Sequence, residues 1–367
     1  MKKVIIIAMC MCMLFALSCA PDGIRGDEDG ELYADGDQYE YIGGELNVLN
    51  WGEYIDPELI DLFEEETGVK VNYIEMTSNE EMLIKLRSPD CVYDMCFPSD
   101  YIIEKLIASD MLYPLDKEKI PNIKNIDQKM LDITDTFDAG NTYSVPYMWG
   151  TVGILYNKTL VDEPVTSWNM LWDEKYAGQI WMYDSLRDSI AVSLLRLGYD
   201  INTRSEEEVA KARDELIAQK PLTKGYGTDN IRTSMINGKA ALAVIYSGDA
   251  FCCIDQNPDL DFAVPEEGSN VWFDNVVIPK TAKNIEAAHA FINFLNDAKI
   301  AARNTEFIYY STPNAGAMAL LDDYFTKNET FNPSDETLAR CTIFHDLGDF
   351  IEVFNAAWDS VKSAKVN

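Results

Sequence analysis

From Glu45 onward, short apolar runs alternate with amphipathic segments that are bounded by capping and turn residues. Residues 46–49 and 69–74 are predicted strands. Between them, Asp56 predicts the N-cap of a helix and Gly68 its left-handed C-terminal end. Because alternating strands and helices pack as a sheet covered by helices, the pattern predicts an α/β fold with a mostly parallel sheet.

The same alternation continues through the rest of the chain. Ser78 and Glu81 form a capping-box pattern before a helix, and residues 93–97 are the next predicted strand. Residues 180–183 and 241–246 are predicted strands of a second region, which starts near residue 151. A chain of 367 residues is long enough for two domains with separate cores.

Five predicted strand ends carry an aromatic ring within a few residues of a carboxylate. The clusters are Trp51-Gly52-Glu53-Tyr54, Asp100-Tyr101, Tyr183-Asp184 with Asp188, Tyr246-Ser247-Gly248-Asp249, and Trp272-Phe273-Asp274. Rings and carboxylates both attract an organic cation. Because ligands of open α/β sheets bind at the carboxyl ends of the strands, the five clusters predict one cleft.

Each cluster also has a structural interpretation. Ser99 suits a helix N-cap, and Asp184 suits the dipole of a helix start. Asp274 lies in an apolar segment, where a buried carboxylate needs a cation, and an internal Arg or Lys would serve as well as a ligand. Tyr310 suits an aromatic box, whereas Tyr309 and Tyr310 together suit a pair of phenolates on ferric iron or simple packing.

Other classes of function receive less support. The net charge of -32 argues against nucleic acid as a partner, since phosphates need Lys and Arg. Paired carboxylates near aromatic rings also occur in glycosidases, which leaves a glycosidase-like enzyme as an alternative. The sequence has no GxSxG, Walker, GxGxxG or HExxH motif and no spaced CxxC pair, so we expect no enzyme, no cofactor and no metal site.

The N-terminus predicts export. Lys2-Lys3 precede an apolar stretch at residues 4–17 that is too short to span a bilayer as a helix. Leu17-Ser18-Cys19 resembles a bacterial lipobox, although Ala16 is atypical, and implies lipid attachment at Cys19. An ordinary cleaved secretory signal is the alternative. Residues 1–18 are thus a predicted lipoprotein signal peptide, and residues 19–44 a predicted flexible acidic tether.

Several segments together resemble the spermidine/putrescine-binding proteins, the substrate-binding proteins of polyamine ABC transporters. The resemblance covers most of residues 45–367. The segments that carry it are Asn50-Trp51-Gly52-Glu53-Tyr54, Pro98-Ser99-Asp100-Tyr101, Pro146-Tyr147-Met148-Trp149-Gly150, Thr166-Ser167-Trp168, Asp184-Ser185-Leu186-Arg187-Asp188, Trp272-Phe273-Asp274 and Tyr310-Ser311-Thr312-Pro313-Asn314.

The resemblance implies a two-lobed periplasmic-binding-protein fold of the type II kind. Two α/β domains would be joined by crossing hinge strands, with the ligand cleft between them. The implied N-terminal lobe is 45–150 plus 273–319, and the implied C-terminal lobe is 151–272 plus 320–367. A lipid-anchored monomer in the periplasm or another extracytoplasmic space, delivering a polyamine to an ABC permease, is the implied function.

The resemblance also implies which residues contact the ligand. They are Trp51, Tyr54, Ser99, Tyr101, Asp188, Tyr246, Asp249, Trp272, Asp274 and Tyr310. Some positions depart from the family pattern: Ser185 replaces an acid found in some spermidine binders, and Phe344 replaces a polar residue. Putrescine and spermidine both remain candidate ligands, with a ferric-ion or other cation receptor as a further alternative.

Overall fold

A mixed β-sheet runs through the protein. The computed structural model describes residues 41–365, so the predicted signal peptide, Cys19 and all but the end of the predicted tether lie outside the described residues. Within that range the strands are β1 (Glu45–Trp51), β2 (Lys70–Met76), β3 (Met95–Cys96), β4 (Ser144–Asn157), β5 (Ile180–Tyr183), β6 (Thr223–Gly227), β7 (Leu242–Tyr246), β8 (Leu260–Ala263), β9 (Ser269–Val277) and β10 (Cys341–Thr342).

Helices connect most of these strands. The α-helices of residues 41–365 are α1 (Pro57–Thr67), α2 (Asn79–Arg87), α3 (Asp100–Ala108), α4 (Gln128–Thr134), α5 (Leu186–Arg196), α6 (Glu206–Gln219), α7 (Asp229–Ile236), α8 (Ser247–Gln256), α9 (Ile285–Leu295), α10 (Ala298–Ile308), α11 (Ala315–Met318), α12 (Asp323–Thr326), α13 (Asp335–Leu338) and α14 (Ile351–Ser363).

The order of the strands divides the sheet into two halves. Neighbouring strands follow the order β2-β1-β3-β9-β4-β7-β5-β6, with β10 beside β9 and β8 beside β4. Strand β4 belongs to both halves, because its residues 144–151 pair with β9 and its residues 152–157 pair with β7 and β8. We call the β2-β1-β3-β9 half, with its helices, the first lobe, and the β7-β5-β6 half the second lobe.

Each lobe has its own apolar core on both faces of its sheet. In the first lobe, Phe63, Phe291 and Phe294 pack beneath β1. In the second lobe, Trp168 and Phe354 are buried against strands β5 and β7. Two separate cores allow each lobe to remain rigid while the strands between them bend.

The predicted end signals of the first helices are present as hydrogen bonds. The Asp56 carboxylate accepts from the backbone N–H of Glu58 at 3.0 Å, and Gly68 ends α1 with φ at 68°. The Ser78 hydroxyl accepts from the N–H of Glu81 at 3.0 Å. The carboxylate of Glu81 returns to the N–H of Thr77, one residue earlier than a capping box requires.

The sheet differs in detail from what the sequence predicts. Within residues 41–365 five of the nine strand pairings are parallel, but the sheet is mixed, because β4 and β9 are antiparallel to each other, β4 is antiparallel to β7 and β8, and β9 is antiparallel to β3. The strand predicted at 93–97 is only Met95–Cys96. Trp272-Phe273-Asp274 lies in the middle of β9, not at a strand end, because pairing with β4 carries the strand on to Val277. The residue boundaries of the two lobes stay a prediction.

Candidate functional site

Eight of the ten predicted ligand-contact residues form one continuous cluster in the structure. Hydrogen bonds or ring contacts link each of them to the next. The cluster consists of Tyr54, Ser99 and Asp274 from the first lobe, Asp188, Tyr246 and Asp249 from the second lobe, and Trp272 and Tyr310 between these two groups. We call it the ring-and-acid cluster.

Asp274 is a buried carboxylate held by two hydroxyl groups. Ser99 Oγ donates to Asp274 Oδ1 at 2.6 Å, and the Tyr54 hydroxyl donates to Oδ2 at 2.9 Å. Only 6% of the residue is exposed. Burial raises the pKa of Asp274 to about 6, against the opposing effect of the two hydrogen bonds. Within residues 41–365 no ion pair involves Asp274, so the internal Arg or Lys considered from the sequence does not occur there.

Ser99 has a different role from the N-cap predicted as its structural alternative. It precedes α3, but its side chain makes no capping hydrogen bond. Its hydroxyl accepts from Asn79 Nδ2 at 3.0 Å and donates to Asp274, while its backbone N–H donates to Asn79 Oδ1. Asn79, which the sequence analysis missed, therefore fixes the direction in which the Ser99 hydroxyl donates.

Asp188 is the corresponding buried acid of the second lobe. Ser185 Oγ and the Tyr246 hydroxyl donate to Asp188 Oδ2 at 2.6 Å and 2.7 Å. The other oxygen, Oδ1, is buried and has no hydrogen-bond partner among the described residues. Because such an oxygen is costly to bury unpaired, it is the acceptor most in need of a donor from a ligand. Asp184, in contrast, is half-exposed and paired with Lys362.

Asp249 differs from the other two acids because it faces a cation of the protein. Arg232 Nη1 lies 3.6 Å from Asp249 Oδ1 and 4.0 Å from Glu53 Oε2. The Tyr310 hydroxyl also hydrogen-bonds to Asp249. Burial raises the pKa of Asp249, and the charge of Arg232 opposes that rise.

Trp272 and Tyr310 form an aromatic wall between the three acids. The ring of Trp272 lies 5.3 Å from that of Tyr310 and 5.7 Å from that of Tyr246, both in edge-to-face geometry. Tyr310 in turn contacts the ring of Tyr54 at 5.7 Å. Trp272 Nε1 is buried and finds no acceptor within residues 41–365, so this N–H could donate to a ligand.

The segment Pro146–Gly150 explains how β4 supports this wall. Pro146 has no N–H to donate, and the strand tolerates it because the pairing with β9 is interrupted at Tyr147. The Tyr147 hydroxyl donates to the carbonyl oxygen of Tyr54 at 2.6 Å, which anchors the loop that carries Tyr54. At Gly150, an added Cβ would lie 2.7 Å from the ring of Trp272, so glycine permits their close approach.

Tyr309 and Tyr310 do not converge on one point. Tyr310 belongs to the ring-and-acid cluster, whereas the hydroxyl of Tyr309 lies 3.5 Å from Asp255 and its ring packs on Phe251. Their separation removes the phenolate pair on which the ferric-iron interpretation depended. Among the described residues, no group of three or more His, Cys, Asp and Glu side chains is arranged to hold a metal ion.

The remaining two predicted contacts, Trp51 and Tyr101, form no hydrogen bond or ring contact with the cluster in the described range 41–365. Trp51 Nε1 donates to the carbonyl oxygen of Phe97 at 2.9 Å. The ring of Tyr101 lies 5.4 Å from the guanidinium of Arg187, and its hydroxyl lies 3.4 Å from Glu80 Oε1. A contact of Trp51 or Tyr101 with the ligand therefore stays a prediction.

Arg187 is a buried residue beside the site that the sequence analysis missed. Its guanidinium donates to the carbonyl oxygen of His345 and to Asn202 Oδ1, both at 3.2 Å. It also lies 4.2 Å from the ring of Phe344, which explains the apolar residue at that position. Burial lowers the pKa of Arg187.

Two further features concern the helices and the cysteines. The helices of residues 41–365 are all too short or too polar to cross a membrane. Cys91, Cys96, Cys253 and Cys341 are free thiols in the structure.

Comparison with known proteins identifies the family. The profile of the family "Bacterial extracellular solute-binding protein" matches residues 58–333. The spermidine/putrescine-binding periplasmic protein of Escherichia coli K12 is 35% identical over 322 residues, which cover 87% of this chain and 92% of the relative.

Two solved structures extend the comparison to the fold. The spermidine/putrescine ABC transporter substrate-binding protein of Streptococcus pneumoniae is 38% identical, with a TM-score of 0.77 over 87% of this chain and 100% of that one. A lipoprotein of Treponema pallidum is 30% identical, with a TM-score of 0.78 over 86% and 99%. They confirm the predicted two-lobed periplasmic-binding-protein fold. The chain therefore belongs to the bacterial extracellular solute-binding proteins, in the group of the spermidine/putrescine-binding proteins.

Proposed function

We propose that this protein is the substrate-binding component of an ABC importer and binds a polyamine in the ring-and-acid cluster. One observation carries the proposal: Asp188 and Asp274 are buried carboxylates with no ion-pair partner among residues 41–365, and they flank an aromatic wall. A buried, uncompensated negative charge is costly, and a cationic ligand removes that cost. The names of the relatives agree with such a ligand.

The chemistry of a polyamine matches each part of the cluster. Its amines have pKa values near ~10, as lysine does, and are therefore charged at neutral pH. One ammonium would donate to Asp274, and another would donate to Oδ1 of Asp188, which has no donor within residues 41–365. The methylene chain between them would lie on Trp272 and Tyr310.

Binding would also hold the two lobes together. Asp274 belongs to the first lobe and Asp188 to the second, so a ligand that pairs with both acids links the lobes. Closure of this kind buries the ligand and creates the surface that a permease recognises. We infer that the protein is a carrier without catalytic activity and that its partner is an ABC permease.

We also propose that the protein works outside the cytoplasm as a lipid-anchored monomer. The lipobox-like Leu17-Ser18-Cys19 supports an anchor at Cys19, and a solved relative from Treponema pallidum is described as a lipoprotein. Acyl chains on Cys19 would hold the protein at a bacterial membrane, since each buried CH₂ contributes about 0.8 kcal/mol.

Isothermal titration calorimetry with putrescine, spermidine, spermine and cadaverine tests the ligand class. We expect at least one of them to bind with a one-to-one stoichiometry and a dissociation constant of about micromolar or tighter. Fe³⁺ and aryl glycosides serve as controls for the two alternatives. If none of the four polyamines binds, or if a glycoside is turned over, the proposal is wrong.

Replacing Asp274 by Asn should weaken polyamine binding and stabilise the unliganded protein. The affinity should fall by more than about 1.5 kcal/mol because a charge-assisted contact is lost. The folded-state pKa of about 6 lies above the unfolded value near ~4, so ionised Asp274 destabilises the fold above pH 6. Unfolding at neutral pH should therefore require about 1–3 kcal/mol more in the variant. Asp184→Asn is the matched control at an acid outside the cluster, and equal affinities of the two variants would remove Asp274 from the site.

Polyamine affinity should decrease as the pH falls through about 6. Burial raises the pKa of Asp274, and below that pKa the carboxyl group must release a proton before it can pair with an ammonium. Between about pH 7.5 and 5 we expect about a tenfold loss of affinity. Ser99→Ala removes a hydrogen bond that lowers this pKa, so the loss should begin at a higher pH. An affinity that is constant over this range would show that Asp274 does not pair with the ligand.

Cys19→Ala should release the protein from the membrane fraction. Intact-mass measurement of the wild type should show a mature chain beginning at Cys19 with added acyl mass, which the variant lacks. Cys91→Ala, at a free thiol of the folded body, should remain membrane-bound. A wild-type protein that is soluble and unacylated would instead indicate an ordinary secretory signal.

A further inference from the structure

We propose that Arg232 neutralises Asp249, the third carboxylate of the ring-and-acid cluster. The site therefore prefers a polyamine with two positive charges to one with three. The inference rests on the proposed polyamine function and goes beyond it, because it names the preferred class of ligand. Its basis is the unequal state of the three cluster acids: Asp249 lies within 4 Å of a guanidinium, whereas Asp188 and Asp274 are hydrogen-bonded to hydroxyl groups and form no ion pair within residues 41–365.

The position of Arg232 allows it to act as an internal cation. It lies in α7, which is next to α8, the helix that carries Asp249 in its first turn. Its guanidinium is 3.6 Å from Asp249 Oδ1, and its side chain is only 22% exposed. Glu53, from the loop after β1 in the first lobe, reaches the same nitrogen at 4.0 Å. Arg232 is thus held from both lobes at the edge of the cluster.

The balance of charge in the cluster then favours a dication. Asp188, Asp249 and Asp274 contribute three negative charges when ionised, and Arg232 contributes one positive charge. The carboxylate of Glu53 also lies near Arg232, but its side chain is 65% exposed and solvent screens its charge. A diamine such as putrescine neutralises the remaining two charges. A third ammonium, as in spermidine, would approach Asp249 against the like charge of Arg232, or would displace Arg232 from its partners, and either event costs affinity.

Arg187 and Asp100 are two further charged groups beside the cluster. The guanidinium of Arg187 donates to the carbonyl oxygen of His345 and to Asn202 Oδ1, and its charge also acts on Asp188. The carboxylate of Asp100 is fully buried and accepts from the backbone N–H groups of Tyr101 and Phe273. Arg187 and Asp100 act on Asp188, on Asp274 and on each other. A diamine and a triamine would both pair with Asp188 and Asp274, so these two groups do not change the comparison between the ligands at Asp249.

Calorimetry on the full-length wild type with putrescine, cadaverine and spermidine gives the first test. We expect putrescine to bind at least about tenfold more tightly than spermidine. Cadaverine separates charge from length, because it is longer than putrescine but also carries two charges. If spermidine binds as tightly as putrescine or more tightly, the inference about Arg232 is overturned, although the polyamine function stands. If no polyamine binds, the proposed function fails and this inference fails with it.

Substitution of Arg232 gives the second test. In Arg232→Gln, the ratio of spermidine to putrescine affinity should rise at least about tenfold, while the ratio of cadaverine to putrescine should stay within about twofold. Arg232→Lys keeps the charge and should keep the wild-type preference. Arg196→Gln is the matched control, since Arg196 pairs with Glu215 in the same lobe, is 20% exposed and lies outside the cluster. An unchanged spermidine-to-putrescine ratio in Arg232→Gln would refute the inference.

Discussion

The antiparallel pairing of β4 with β9 is the interaction on which the rest of the structure depends. It joins seven residue pairs between 144–151 and 271–277, and β4 then continues into the second lobe beside β7 and β8. The two strands therefore connect the lobes, and β9 carries Trp272 and Asp274 of the ring-and-acid cluster. A ligand in the proposed site would lie beside the strands that join the lobes, so that its binding would be coupled to any movement between them.

Electrostatics sets the second constraint. A carboxylate in an apolar interior is stable only when hydrogen bonds or a cation replace the water that it has lost. Asp274 accepts hydrogen bonds from two hydroxyl groups. They fix the position of the carboxylate, but burial still raises its pKa to about 6. Asp188 keeps one oxygen unpartnered. The unliganded site is thus less stable than an apolar core would be, a common cost at binding sites.

Much of the fold could be predicted because its signals are local in sequence. The cap at Asp56 and the left-handed Gly68 bound α1 without reference to any other element. The antiparallel course of β9 could not be predicted in this way, because its partner β4 lies more than a hundred residues earlier. The periodicity of a strand does not reveal the direction of its neighbour. Trp272 and Asp274 were consequently placed at a strand end instead of in its middle.

The candidate site shows the same limit. Acids and rings could be selected as residue types, and eight of the ten lie together. Arg187, Arg232 and Asn79 were missed because their significance comes from partners distant in the chain. Arg232, for example, meets Glu53 from the other lobe. A basic residue in an acidic protein appears in the sequence as one charge among many, and only the fold shows which carboxylate it neutralises.

Successive side chains of β9 point to opposite faces of the sheet, and this limits how the strand can vary in sequence. Trp272 and Asp274 face the cluster, whereas Phe273 lies on the opposite side of the sheet, stacked on Trp149. Deleting or inserting one residue within 269–277 would exchange these two faces. The phenyl ring of Phe273 would then face the ring-and-acid cluster, and the carboxylate of Asp274 would face the apolar core. We therefore expect natural diversity in this strand to arise by substitution, with length changes confined to the loops that flank it.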